Sequence, residues 1–463
     1  MIGLIKKIIK GNNFLSLAAN LSTSVMGLIS FVILMRILSI DDFGKWVLFT
    51  TPASLIDMLR MGLTREATVR YISSIDENGK KYFLGSSWFV GLITIISISI
   101  ILYAIVLIFP TTIKSYGYDI FFYWYPVFAI ANLPWNYAWS ILQAEMDFKK
   151  IFWIRFFNLG SFLLSLFVAY VFAEQINVTI VVLIYIITNV LTSFFCLYKK
   201  WTGIRNLRYI SREKINQIIN FGKYSMASSI GSSLLKSADN FIISFSTFLG
   251  PYGVALYAIP LKFIELLEIP LRSFAATAFP KLSKASIDGD KEEFKRIFYQ
   301  YTGAITVLFI GVTIFALLFN QYFILFLGGS KYKDSLQGLS YVMIAVIIYG
   351  LLLPVDRFTG IALSSLNKPQ KNFYKIIYMA AANIIGDFIA VFVIHKIFPD
   401  FSVLTLLLFV GIASIIFTLI GLVIGFKYLR EEVDVSYKNV FIHGFKLYRD
   451  YIITYAPKIF KKR

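Results

Sequence analysis

Long apolar runs follow one another along the whole chain, separated by short polar segments, and twelve of them reach the length of a membrane-crossing helix. A helix needs roughly 20 predominantly apolar residues to cross the hydrocarbon core. The pattern predicts spans near Phe14–Leu38, Lys45–Leu63, Leu84–Phe109, Asp119–Gln143, Ile151–Ala173 and Ile176–Tyr198. Six more are predicted near Phe221–Leu249, Tyr252–Ala278, Tyr299–Leu327, Leu336–Leu363, Phe373–Ile397 and Phe401–Phe426. The fold class expected is therefore all-α, a polytopic membrane protein with about twelve transmembrane helices. The first run exceeds the apolar region of a cleaved signal peptide, about 7 to 15 residues, so it reads as a retained first span.

Charge sets the orientation. Lys and Arg fall in alternate gaps: Lys6 to Lys10, Arg60 to Lys81, Lys149 to Arg155, Lys199 to Lys223, Arg272 to Arg296, Lys368 to Lys375, and the tail from Lys427. These segments hold 36 of the 45 basic residues, against five in the opposite loops and four inside spans. Short basic loops stay in the cytoplasm, so both termini are expected there. The net charge of +19 then describes a basic inner face that suits an anionic leaflet, and with no basic, aromatic-rich soluble domain no nucleic-acid partner is expected.

Other chemistries find few residues to use. The one cysteine, Cys196, sits in an apolar span and reads as a small buried hydrophobe. The two histidines, His395 and His443, fall in an outer loop and the tail. No Walker-type phosphate loop and no H-E-x-x-H is present, so ATP-driven transport by this chain alone, a cofactor and a metal centre are not expected.

The chain repeats itself. The segment RILSIDDFGKWVLF (Arg36 to Phe49) follows the first span and FSTFLGPYGVALYAI (Phe245 to Ile259) follows the seventh; LQAEMDFKKIF (Leu142 to Phe152) and LSSLNKPQKNF (Leu363 to Phe373) follow the fourth and tenth. Equivalent placement of both pairs predicts two parallel six-helix lobes around a central cavity. The domains expected are a cytoplasmic amphipathic N-terminus (1–13), an N-terminal lobe (14–198), a basic cytoplasmic linker (199–220), a C-terminal lobe (221–426) and a basic amphipathic tail (427–463). In that tail Phe441, Phe445, Tyr448, Ile452 and Tyr455 recur at helical spacing among Lys446, Arg449 and Lys458, the pattern of a helix lying on the inner leaflet.

Ionisable groups inside spans are costly, about 2.5 to 3.5 kcal/mol each on insertion scales. The seventh span carries Lys236 and Asp239, and the eighth carries Lys262, Glu265, Glu268 and Arg272, all at i, i+3 or i, i+4 spacing. Two readings stand: internal salt bridges that let polar helices pack, or a wet cavity whose cations receive an anionic head group. The second span adds Asp57 and Arg60, with Arg60 near the inner face; Arg36 lies at the outer end of the first span, where it can snorkel. Asp356 and Arg357 follow Pro354 in the tenth span, where proline frees a carbonyl. Asp387, alone in the eleventh span, is either a proton or cation site or a partnered structural acid. The fourth span, FFYWYPVFAIANLPWNYAWS (Phe121 to Ser140), offers aromatic faces to sugars, or an interfacial aromatic belt.

The stretch R-x-L-S-x-x-D-F-G-x-W from Arg36 to Trp46, the M-G-L at Met61, the LQAEMDF stretch, Asp239 before FIISFSTFLG and the GGSKYKDS loop from Gly328 resemble, together and end to end, the polysaccharide-biosynthesis flippases. These are the O-antigen and capsule repeat-unit exporters of the multidrug/oligosaccharidyl-lipid/polysaccharide superfamily. Members often carry a basic residue after the seventh-span acid, where this chain has Asn240. The resemblance implies a bacterial inner-membrane protein that moves undecaprenyl-pyrophosphate-linked repeat units outward by ion-coupled alternating access. Its implied partners are the lipid-linked oligosaccharide, membrane lipids, a coupling cation (proton or sodium) and polysaccharide polymerase machinery. It favours Lys236, Lys262, Arg272, Arg357, Arg36 and Arg60 as substrate-binding cations. Asp57, Asp239, Glu265, Glu268, Asp356 and Asp387 are then left for ion coupling or charge pairing. A multidrug exporter of the same superfamily is the first rival. A membrane polymerase or ligase, which would keep its chemistry in a large outer loop, fits poorly because no outer connection exceeds roughly ten residues. A major-facilitator transporter is disfavoured, because RMGLTREATVRYISSIDENGKK (Arg60 to Lys81) does not fit the G-x-x-x-D-R-x-G-R signature of that class.

The charge pattern makes a direct prediction. In a Cys196→Ala background, cysteines at Ser115, Gln175 and Ser330 react with an impermeant thiol reagent outside intact cells, and those at Gln217 and Asp288 do not. Labelling of Gln217 from outside would reverse the orientation.

Overall fold

The computed structural model describes residues 12–72, 75–172 and 176–460, with side chains described in those ranges except at 12–21, 224, 225, 227–232, 234–236 and 451–460. Twelve long helices account for most of these residues: α1 (Asn12–Ile37), α2 (Ile40–Ile72), α3 (Glu77–Ile108), α4 (Asp119–Ala144), α5 (Phe148–Phe172), α6 (Val178–Tyr198), α7 (Arg212–Ser244), α8 (Gly250–Ile287), α9 (Lys291–Gly328), α10 (Leu336–Ser365), α11 (Pro369–Phe388) and α12 (Val403–Val433). After α11 a π turn (Ile389–Val393) and a last helical turn (Ile394–Ile397) complete the eleventh span, and the tail forms α13 (Tyr437–Phe460). No strand occurs among the described residues. Seven of the helices, α3, α5, α6, α9, α10, α11 with its extension, and α12, are long and apolar enough by themselves to cross a membrane. Of the others, α2, α7 and α8 carry charges and α4 carries Tyr, Trp, Asn and Pro.

Polar side chains start several helices by accepting the otherwise unpaired N–H groups of the first turn. Asp76 accepts from Gly79 N (3.2 Å), Asn177 from Ile180 N (3.0 Å), Asp290 from Glu293 N (2.9 Å) and Ser402 from Thr405 N (3.2 Å). The helices run past the predicted inner boundaries: α2 continues to Ile72, α8 to Ile287 and α12 to Val433. The charged segments beyond the spans are rich in Ala, Arg, Glu, Leu and Lys, which favour helix as strongly in water as in lipid. For the same reason α7 begins at Arg212, inside the stretch expected to be linker.

The repeated turns match in detail. Met146 and Asn367 occupy equivalent positions in LQAEMDFKKIF and LSSLNKPQKNF, and both take the left-handed conformation at φ 57°. Their hydrogen bonds correspond one for one: Glu145, Met146 and Asp147 donate to Ile141, Gln143 and Leu142, while Leu366, Asn367 and Lys368 donate to Ala362, Ser364 and Leu363. Each is a helix stop in which the last carbonyls are satisfied before the chain turns into the next helix.

Contacts divide the chain into two compact units, Met1–Asn240 with Gly250–Ala255, and Phe241–Leu249 with Leu256–Arg463. The division falls at Asn240, one helix further along than the expected boundary at 220/221. Glycines supply the reason: α2 and α7 meet backbone to backbone where Gly62 lies on Met226 and Gly222 on Leu63. The segment before α7 is also fixed to unit 1. Trp88 Nε1 donates to Thr202 O (2.8 Å), Ser86 Oγ donates to Ser211 O (3.2 Å) and accepts from Ser211 N (2.9 Å), and Gly85 lies against the carbonyls of Asn206 and Tyr209.

In unit 1 the aromatics of α4 turn inward. Tyr137 stacks on Trp88 at 4.3 Å, and Phe128 stacks on Tyr185 at 5.0 Å. In unit 2, α12 uses small residues for close packing: Gly411 meets Ala345 of α10, Gly421 meets Met379 of α11 and Gly425 meets Thr359 of α10. The tail helix α13 packs on α9 through one of its faces. Val440, Gly444 and Tyr448 of α13 meet α9, where Gly444 and Gly303 let the two backbones touch, Tyr448 Oη donates to Ala304 O and Ser436 N donates to Tyr299 Oη. Phe445 and Ile442 stay about half exposed, at 54% and 49%. Residues Ile452, Tyr455 and Lys458 of the expected stripe, and Lys6, Lys7 and Lys10 of the N-terminal segment, lie outside the described residues or side chains.

Candidate functional site

The charged residues of the spans separate into local networks. In unit 1, Asp57 and Arg60 are one helical turn apart on α2 and form an ion pair at 3.0 Å. Arg60 is completely buried: Nη1 donates to Ala129 O (2.9 Å) and Nη2 to Asn132 Oδ1 (2.6 Å) and Asp57 Oδ1. Asp57 also accepts from Tyr125 Oη (3.1 Å) and Asn132 Nδ2 (2.9 Å). Three donors from two helices fix this carboxylate, and Arg60 is a buried post between α2 and α4. Ser193 of α6 bridges the helical ladder of α4 just before Pro134, donating to Ala131 O and accepting from Trp135 N.

The densest network lies in unit 2, where α8 and α10 approach closely because Gly350 leaves room for Leu267 and Ile264. Pro354, four residues on, cannot donate to the Gly350 carbonyl, and Pro270 interrupts α8 between Glu268 and Arg272. Glu268 takes two cations: Arg272 on its own helix, and Arg357 of α10 at 3.5 Å. The carboxylate is 12% exposed, whereas the Arg272 and Arg357 side chains are 65% and 45% exposed. A mostly covered acid thus holds two accessible guanidinium groups. Beside it Lys262 pairs with Glu265 at 2.7 Å, with the cation covered and the carboxylate outward.

Asp356 and Arg357 are neighbours in sequence but do not share a partner. Asp356 pairs with Lys375 of α11 at 2.6 Å, and Lys375 Nζ also donates to Asp356 O (2.8 Å) and Thr359 Oγ1 (2.9 Å). The Lys375 side chain is 3% exposed. The buried positions of α11 are Lys375, Met379, Asn383 and Asp387, a single stripe at four-residue spacing on a helix whose other faces are apolar. Asp387 is fully buried, accepts from Asn383 Nδ2 (2.9 Å), and sits two residues before the π turn begins at Ile389. Such turns are frequent at functional positions.

The remaining predicted residues stand apart from these networks. Asp239 and Asn240 are buried near the end of α7 in unit 1. Lys236 is on α7, but its side chain lies outside those described. Arg36 is exposed in the last turn of α1. Tyr125, Asn132, Thr359, Asn383 and above all Lys375 were not singled out by the sequence. The signal for Lys375 was present in the stripe shared with Asn383 and Asp387. Among the described residues no group of three or more His, Cys, Asp or Glu side chains is placed to hold a metal ion.

Outside the predicted spans, ion pairs tie the start of α11 to the end of α12. Lys371 bonds Glu431 (2.7 Å) and Glu432 (2.8 Å), and Lys368 reaches Glu432 at 3.4 Å. Hydrogen bonds to Glu431 and Glu432 raise the Lys371 pKa, and the bond from Lys371 lowers that of Glu432. On the opposite loops, burial pushes Lys331 down to about 8.

The Lys375–Asp356 pair gives a test of buried charge. Lys375→Met leaves Asp356 without its ion-pair partner and costs about 3 to 5 kcal/mol, whereas Lys375→Met combined with Asp356→Leu costs much less. Thermal unfolding in detergent measures both. Equal losses in the single and double variants would show that the pair is not coupled.

The profile of the family described as "Polysaccharide biosynthesis protein" matches residues 33–337. Among curated proteins none matches the chain. Solved structures share its fold at low identity. An inward-facing multidrug resistance MATE-family transporter of the MOP superfamily superposes with a TM-score of 0.72 at 18% identity, covering 88% of this chain and 95% of its own. The lipid II flippase MurJ, in an inward closed conformation, gives 0.66 at 16%, covering 96% and 100%. A MOP superfamily transporter from Pyrococcus furiosus, described as having a binding pocket of reverse polarity, gives 0.52 at 17%, covering 89% and 96%. With its all-helical architecture in the MOP superfamily fold, the chain belongs to the polysaccharide biosynthesis protein family.

Proposed function

We propose that this protein is a flippase that carries undecaprenyl-pyrophosphate-linked oligosaccharide repeat units from the inner to the outer leaflet of the bacterial cytoplasmic membrane, with both termini cytoplasmic. The observation that carries the reading is the balance of charge around Glu268. By sequence alone the cations and acids of these spans tie. Lys375 breaks the tie, because it neutralises Asp356 and leaves Arg272 and Arg357 to share the single carboxylate of Glu268. Two exposed guanidinium groups against one mostly covered acid suit a substrate of negative charge. Arginine's planar fork also matches phosphate oxygens in pairs. A cationic drug would meet the opposite field.

Movement of such a head group across the bilayer needs a source of energy, and the chain carries no nucleotide-binding motif. Coupling to a proton or sodium gradient supplies about 2.3 kcal/mol per charge for each 100 mV. Asp387, buried beside Asn383 at the π turn, is the proposed coupling residue. The ligand stays anchored in membrane lipid by its prenyl chain, and polymerase machinery at the outer leaflet consumes the product. An enzyme is not required by this reading, and the first rival remains export of drugs.

Replacing both Arg272 and Arg357 by Gln tests the proposal in cells. The double variant reaches the membrane at normal abundance, loses surface polysaccharide, and traps single repeat units on lipid at the inner leaflet, with drug resistance unchanged. Accumulation at the outer leaflet would mark a polymerase, and selective loss of drug efflux an exporter.

A further inference from the structure

A small cavity in unit 1 holds a cation and an acid that do not pair with each other. It lies where the end of α3, the short helix Pro110–Ser115 and the first turn of α4 meet, and measures about 350 Å³. Thr111, Lys114, Asp119 and Tyr123 supply its polar groups, and the buried side chains of Val106 and Ile113 supply apolar lining. Asp119 Oδ1 is buried and accepts no hydrogen bond. Lys114 is exposed and, among the described residues, forms no ion pair. Beside the cavity, Tyr103 Oη of α3 donates to Tyr123 O of α4 at 3.5 Å and joins the two long helices.

An acid in the first turn of a helix is ordinary, because it complements the positive end of the dipole. That attraction leaves the lone pairs of Asp119 Oδ1 unmet, and a buried oxygen without a donor is costly to keep. The cavity has room for the missing donor, and its position narrows the choice. Phe109 and Asp119 mark predicted ends of the third and fourth spans, on the side of the sparsely charged loops. Leu107, Ile108 and Phe109, just before it, present exposed apolar surface. On a spanning helix such surface faces lipid tails, so the cavity sits at the layer of lipid head groups.

We propose that this cavity binds the head group of phosphatidylethanolamine. Lys114 takes the phosphate, Asp119 accepts from the ammonium, and the acyl chains run along the exposed residues of α3. Each rival class satisfies half of the site. An anionic lipid leaves Asp119 bare, and a sugar hydroxyl or an inorganic cation leaves Lys114 without an anion. A choline head group brings both charges but has no N–H to donate to Asp119. The site is independent of the flippase reading and takes from the orientation proposed above only its leaflet, the outer one. Bound lipid fastens the helix Pro110–Ser115 to α4 and stabilises the folded chain by mass action.

Titration of the purified full-length protein in detergent with short-chain lipids, followed by melting temperature, tests the site. Phosphatidylethanolamine raises the melting temperature, and phosphatidylcholine and phosphatidylglycerol bind at least roughly tenfold more weakly, as expected for loss of one charge-assisted bond. Asp119→Ala abolishes the preference for ethanolamine over choline, and Lys114→Gln weakens binding of both lipids; each variant elutes as the native chain does. A photoreactive phosphatidylethanolamine labels the peptide that holds Asp119 in the native chain, which tests the site if a variant fails to fold. Equal binding of phosphatidylcholine, unchanged selectivity in folded Asp119→Ala, or labelling confined to other peptides overturns the proposal. Equal binding of phosphatidylglycerol would make this a site for any lipid phosphate, and displacement of the lipid by free hexose would make it a sugar site; either result also overturns it.

Discussion

The cost of placing charge inside a bilayer governs this structure. A lone ion at the membrane centre is expensive, so each acid and base in the spans must find a partner or a wet surface. The chain meets that demand with local solutions: Asp57 with Arg60, Lys262 with Glu265, Glu268 with Arg272 and Arg357, and Asp356 with Lys375. Close packing then becomes the second requirement. Glycines at Gly62, Gly222, Gly411 and Gly425 let helices pack closely, and Gly350 brings α10 against α8, where Arg357 meets Glu268.

The networks differ in what they leave exposed, and that difference separates support from function. Arg60 has no surface and its carboxylate is held by three donors, which fits a fixed strut between α2 and α4. Lys375 is equally hidden, but its effect reaches the surface indirectly. By occupying Asp356 it leaves Arg357 free to turn to Glu268, and so sets the sign of the accessible cluster. A positioning residue of this kind changes ligand preference without touching the ligand.

Much of the architecture was legible in the sequence because hydrophobic runs of membrane length have few alternatives. The twelve long helices, the all-α class and the equivalent turns at Met146 and Asn367 follow from patterns visible in one dimension. Helix ends were less legible, since polar segments rich in Arg, Glu and Ala extend α2, α8 and α12 beyond the apolar runs. The docking face of the tail was less legible for a similar reason. Periodicity selected Phe441 and Phe445, whereas Gly444 and Gly303 decide which face of α13 docks, and a glycine adds nothing to a hydrophobic stripe. At the site, i, i+3 and i, i+4 rules found the pairs on one helix but could not find pairs between helices. Lys375 was hidden by its position among the basic residues of a predicted inner loop.

The central claim is that the accessible charge of the site selects an anionic lipid over a cationic drug. Translocation in proteoliposomes measures it directly, with a fluorescent prenyl-pyrophosphate-linked glycan and ethidium supplied to the same preparation under an imposed ion gradient. The account predicts that the glycan lipid moves to the opposite leaflet and that ethidium does not. Movement of ethidium with the glycan lipid left in place would contradict it.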